Sequence, residues 1–196
     1  MPTVAVVSSD GGVVLAGRGN SPDLPGLELA VVKFEPQGEE QWLRIVALSE
    51  EAGYFHGLAE APNGDFVLAG THSESLAFVR ISQSGEIVWI RDIFPDGGLG
   101  TVSSDVWDVD VTAEGDIVFV GHTERWVYLT MLYPVVTYSN YIALLDGNGD
   151  VRWKTTVGDA RLYGVTATTD GTFMATGNVG SDLVLIEVDS EGNVLN

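Results

Sequence analysis

The sequence predicts an all-β protein, a β-propeller built from four four-stranded antiparallel blades, closing as a four-bladed ring or forming half of a larger ring. Three observations predict it: a fourfold internal repeat, turn glycines at fixed places in every repeat, and short apolar strands between them.

The repeat is clearest in four gapless segments, "SSDGGVVLAG", "APNGDFVLAG", "TAEGDIVFVG" and "TTDGTFMATG". Each carries a turn glycine (Gly11, Gly64, Gly115, Gly171) and a second glycine six residues on (Gly17, Gly70, Gly121, Gly177). An apolar run after a D-G, N-G or E-G turn is a strong hairpin signal. One more strand precedes each turn: "VAVVSS", "GLAEAP", "DVDVTA" and "GVTATT". The second halves read "VVKFEPQGEEQW", "FVRISQSGEIVW", "IALLDGNGDVRW" and "LIEVDSEGNVLN", again strand, turn, strand. Three of them place a tryptophan four residues past the turn glycine: Gly38–Trp42, Gly85–Trp89 and Gly149–Trp153; the fourth has Gly192–Asn196.

Turn glycines recur at spacings of 53, 51 and 56 residues, and four strands per unit of that length is the signature of a propeller blade. A blade cannot hide both faces alone, which explains strands that are apolar almost throughout. The tryptophan reads as structural, packing between blades. The pattern, "YIALLDGNGDVRWKTTVGD" above all, resembles bacterial propeller repeats of the quinoprotein-like (PQQ-like) kind and their non-enzymatic relatives. That resemblance implies a scaffold and no activity.

The units divide one domain, 1–196, into blades of approximately 1–48, 49–94, 95–157 and 158–196. The sequence begins at the first strand of unit one and stops early in the last strand of unit four, so the ends are nearly in phase. A closed four-bladed ring, a head-to-tail pair of chains and a piece of a longer propeller all fit. Self-association into a larger ring or a piece of one is favoured over a closed monomer, because unpaired blade faces are sticky.

Formal charge is −19, from 28 Asp+Glu against 9 Lys+Arg. Such a surface repels phosphate backbones, so nucleic acid is not an expected partner. No apolar run reaches the roughly 18–20 residues of a membrane span, and no signal peptide is visible, which leaves the compartment open. There are no cysteines, which removes thiolate metal sites and a cysteine nucleophile.

Candidate sites come from departures from the repeat. From the second strand-b glycine to the next turn glycine the units measure 21, 15, 28 and 15 residues, so unit three carries thirteen extra. They lie within "ERWVYLTMLYPVVTY", which reads as a protruding hairpin with its turn near Tyr133–Pro134. Trp126, Tyr128, Leu129, Met131, Tyr133 and Tyr138 would make it a contact or assembly surface. Folding back onto the ring is the plainer alternative.

Alignment on the turn glycines places His56, Trp107 and Tyr163 at one blade position near the axis, with Tyr54, Asp105 and Arg161 two residues earlier. They form either a polar and aromatic mouth for a small ligand or inter-blade packing. Asp108 and Asp110 replace small or apolar residues on the same strand and share a face. They suit Ca²⁺ or a solvated channel wall. "DGNGD" imitates the start of a calcium loop but sits in register with the other outer turns, so it reads as a hairpin. His56, His72 and His122 occupy different unit positions and show no metal spacing.

No catalytic motif is present. Two Lys and seven Arg leave few anchors for an anionic cofactor, and no organic cofactor is expected. The leading expectation is a non-catalytic propeller that binds a protein or a glycan through its loop face and the Trp126–Tyr138 hairpin. The alternative is a hydrolase or lyase at the channel mouth using His56, Asp105, Tyr163 and Arg161.

Overall fold

The structure, a computed structural model, describes residues 2–20, 27–46, 54–72, 75–93, 101–128 and 134–195. Four antiparallel sheets follow one another along the chain. Blade one is β1 (Pro2–Val7), β2 (Val13–Asn20), β3 (Leu27–Phe34) and β4 (Glu40–Val46). Blade two is β5 (Tyr54–Glu60), β6 (Phe66–His72), β7 (Ser75–Ile81) and β8 (Ile87–Ile93). Blade three is β9 (Thr101–Val111), β10 (Ile117–Tyr128), β11 (Pro134–Leu145) and β12 (Val151–Thr156). Blade four is β13 (Arg161–Ala167), β14 (Phe173–Val179) and β15 (Asp182–Val188). Among the described residues it has three strands, and an isolated bridge, Val188 with Val194, lies where the repeat places a fourth.

Eight tight turns among the described residues, two in each blade, share one geometry. The glycine N–H donates to the carbonyl three residues earlier, as in Gly64 to Ala61 (2.8 Å) and Gly85 to Ser82 (2.8 Å). The glycine itself is left-handed, from φ +83° at Gly64 to +91° at Gly115, a conformation other residues enter only at a cost. "DGNGD" is one of these turns: Asp146 Oδ1 accepts the N–H groups of Asn148 (2.8 Å) and Asp150 (3.0 Å). Those donors, Asp150 first, hold its carboxyl below the usual aspartate value.

The second glycine of each repeat has a different cause. A Cβ at Gly70 would lie 2.1 Å from the Tyr54 carbonyl oxygen, one at Gly121 2.4 Å from that of Asp105, and one at Gly177 1.9 Å from that of Arg161. The crowding comes from a β-bulge in the first strand of each blade. Phe55 pairs with Gly70 but Gly57 with Ala69, so His56 is the extra residue. Trp107 and Tyr163 are extra in the same way opposite Gly121 and Gly177.

Blades stack face to face through three apolar clusters, between blades one and two, two and three, and three and four. Every residue of β7 is buried, as a third strand covered on both sides must be. β15 is mostly open, with Leu183 88% and Leu185 52% exposed. Among the described residues no cluster joins blade four to blade one. The blades form an open arc.

The outer tryptophans lock neighbouring blades in register. Trp42 Nε1–H donates to Gln83 O (3.0 Å), Trp89 to Gly147 O (3.3 Å) and Trp153 to Ser190 O (2.9 Å). Each acceptor stands two residues before the outer-turn glycine of the next blade. The repeat expectation that this residue packs between blades therefore holds.

Candidate functional site at the bulged inner strands

A bulge turns its extra residue away from the ladder and re-aims its side chain. Here the bulges of blades two, three and four set a continuous aromatic row. Tyr54 stacks on His56 (ring centroids 6.5 Å apart), His56 meets Trp107 (5.8 Å) and Trp107 meets Tyr163 edge-on (5.7 Å). The row is not sealed in a core: Tyr54 is 56% and Tyr163 48% exposed. The rings pack on one another between blades and stay partly open to solvent.

Beside Trp107 and Tyr163 a pocket of about 410 Å³ opens between blades three and four. Asp105, Arg161 and these two rings line it with His122, Glu124, Tyr138 and Asn140. The structure thus gathers Asp105, Trp107, Arg161 and Tyr163, and leaves His56 one ring away on the far side of Trp107.

Its polar groups are held by their neighbours. Trp107 Nε1–H donates to His122 Nδ1 (3.1 Å), and the two rings are stacked at 5.7 Å. An indole nitrogen can only donate, so His122 Nδ1 is an acceptor and its proton sits on Nε2. That nitrogen faces Asp105 Oδ2 at 3.8 Å. Asp105 Oδ1 accepts the Thr71 hydroxyl of blade two (2.8 Å). Arg161 lies over the Tyr138 ring, 5.9 Å from its centroid.

His122, Glu124 and Asn140 were not among the sequence candidates. The signal for His122 lay in the bulge: once Gly121 pairs with Val106, His122 falls opposite Asp105. Without the bulge it would be placed one residue off.

The long insertion is a real hairpin. β10 and β11 stay paired from Ile117–Leu145 to Tyr128–Pro134, and β9 extends alongside as far as Thr101 opposite Trp126. Pro134 pairs in a strand instead of forming the expected turn. Leu129, Met131 and Tyr133 lie outside the described residues, as do the side chains of Tyr128 and His72. Trp126 is 36% exposed, and Tyr138 reaches the pocket.

Asp108 and Asp110 reach across to blade four. Asp108 Oδ2 accepts Val165 N–H (3.0 Å), and Asp110 Oδ2 accepts Ala167 N–H (2.9 Å) and the Thr166 hydroxyl (2.9 Å). Their other oxygens accept Val109 and Val111 N–H. The pair fastens the first strand of blade four to that of blade three. Among the described residues no cluster of three metal-ligating groups occurs.

Burial pushes the Asp108 carboxyl above the usual aspartate value; the Val165 and Val109 N–H groups pull the other way, and the Asp110 charge adds to the rise. A raised pKa in the fold contributes stability below the unfolded value and loses it as pH rises through the folded one. Asp108→Asn removes that titration. Its stability relative to wild type is expected to climb as pH rises from about 4 to 7, read from urea midpoints. A flat difference across that window would refute the assignment.

No family model matches the chain, and no curated protein matches it either. Solved structures do. The Dos1 propeller superposes with a TM-score of 0.63 at 14% identity, over 100% of this chain and 46% of its own. A Bacteroides caccae protein of unknown function gives 0.51 at 13%, covering 93% and 56%. A Leishmania mexicana mannose phosphorylase structure with phosphate gives 0.51 at 12%, covering 94% and 67%. The chain spans about half the length of the first two. The likeness shows the fold alone: this chain is a run of β-propeller blades.

Proposed function

We propose that the chain is a non-catalytic β-propeller binding module whose pocket at the bulged strands of blades three and four takes a neutral glycan. The observation that carries this reading is the lining itself: three indole or phenol rings, one imidazole, two carboxylates, one guanidinium and one amide in a single open hollow. Sugar rings offer apolar C–H faces for Trp107, Tyr163 and Tyr138, and hydroxyls that both donate and accept. Asp105 and Glu124 accept; Arg161 and Asn140 donate. A cation would meet Arg161, and an anion would meet two carboxylates. A neutral polyhydroxylated ligand fits both.

The pairing of His122 argues for binding over chemistry. Its Nδ1 is filled by an indole N–H and its Nε2 faces Asp105, so neither nitrogen is free to take a proton from a substrate. The hairpin enters this reading through Tyr138 at its base. The tryptophan-bearing repeat supports the quinoprotein-like reading of the blades, which concerns the scaffold only.

The test is a panel of neutral oligosaccharides titrated by calorimetry against wild type and Trp107→Ala. Removing the ring is expected to weaken binding at least tenfold, or about 1.4 kcal/mol. Undiminished binding by the variant would sink the site. Sugar turnover by the wild type would move the reading to a hydrolase or lyase, and capture of a protein alone would replace the glycan.

A further inference from the structure

The outward face of blade one is built as an inter-blade face. Blade two meets blade one through Phe66, Leu68, Ala77, Val79 and Ile81, all fully buried. Counting from the turn glycines, the same positions in blade one are Val13, Leu15, Ala30, Val32 and Phe34. They are apolar throughout, yet Leu15, Ala30, Val32 and Phe34 line an open hollow of about 270 Å³ that Arg18 borders, with exposed Val7 and Leu43 nearby in the same sheet.

The outer turn of blade one carries the second mark. At the three internal interfaces the outer-turn glycine leaves space for the neighbour's indole. A Cβ at Gly85 would stand 2.7 Å from the Trp42 ring, one at Gly192 2.8 Å from Trp153 and one at Gly149 3.3 Å from Trp89. Gly38 has the same left-handed conformation, φ +90°, and the same hydrogen bond to Glu35 O (2.8 Å), but a Cβ there would meet nothing within 4 Å. Pro36 O holds the place that Gln83 O, Gly147 O and Ser190 O hold for the indoles.

Blade four of a second copy is the wrong shape and charge for this seat. Asn196 stands where the other blades have tryptophan, and Thr176 where they have Ala16, Ala69 and Val120. Glu187 stands where blade three has Leu144 and blades one and two have bases that reach across, Lys33 over the Phe66 ring (5.4 Å) and Arg80 to Gly147 O (2.8 Å). The turn it would meet carries exposed Glu35, Glu39 and Glu40, so like charges would face each other.

We propose that blade one docks a further propeller blade, one with a tryptophan four residues past its outer-turn glycine and a Lys or Arg on its third strand. Its indole N–H would donate to Pro36 O, with the ring seated on Gly38. This independent surface does not rest on the glycan reading.

The test converts blade four into such a donor. A full chain carrying Glu187→Lys and Asn196→Trp, continued by the Lys154–Val157 sequence to complete the outer strand, is compared with wild type by sedimentation velocity. Wild type is expected to run as a 20.9 kDa monomer and the donor chain to associate head to tail. Leu15→Glu or, separately, Val32→Glu placed in the donor chain should weaken that association at least tenfold while leaving the melting temperature in place. Wild-type association abolished by Leu15→Glu would give the seat to an unmodified copy and overturn the proposal. A donor chain that stays monomeric, or associates equally well with Asn196 restored, would overturn it too.

Discussion

Replacing Gly70 with alanine is expected to lower the unfolding free energy by about 3 kcal/mol, a large effect for adding one methyl group. The added carbon would sit 2.1 Å from the Tyr54 carbonyl oxygen and 2.6 Å from Phe55 Cα. Both are backbone atoms of the bulged strand, so no rotamer change can relieve the clash. The bulge would have to reopen, taking His56 out of the aromatic row. Gly115→Ala is the informative comparison. It has φ +91° but nothing within 4 Å of a new Cβ, so only the left-handed cost of about 1–2 kcal/mol applies. Chemical denaturation of both variants checks the difference, and equal losses would show that conformation alone explains the repeated glycines.

Phe78→Ala should cost about 3–5 kcal/mol. Phe78 lies on β7, is fully buried and packs edge-on against Phe119 of blade three, with centroids 4.8 Å apart. Neighbouring strands on both sides limit collapse into the vacated space. Because the ring sits between blades, its loss should also lower the cooperativity of unfolding. A urea transition that keeps its midpoint would mean that blades two and three do not share this core.

Much of the scaffold was legible because steric demands leave marks in sequence. Glycine is required at eight left-handed turns and again beside each bulge, so both sets recur in phase. Tryptophan recurs because one indole must reach one carbonyl at each interface, although the carbonyl itself, such as Gln83 O for Trp42, lies in the next repeat and carries no residue signature. The position shared by His56, Trp107 and Tyr163 could be found by counting from glycines. Its being a bulge could not, since a register slip exists only between paired strands.

The same limit explains the remaining differences. Asp108 and Asp110 stood out as charges on a crowded strand, but their partners are backbone N–H groups 57 residues away, which every residue but proline possesses. His122 looked isolated because the bulge that brings it opposite Asp105 shifts the pairing by one.

Hydrogen exchange at the five indole N–H groups, followed by ¹H–¹⁵N spectroscopy, tests the interlocked arc most directly. Trp42, Trp89 and Trp153 donate to turn carbonyls of the following blade, whereas Trp126 is exposed on the hairpin. The three inter-blade indoles are therefore expected to exchange much more slowly than Trp126, with Trp107 alone shifting when a glycan fills the pocket. Exchange of all five at one rate would contradict the stacked-blade account.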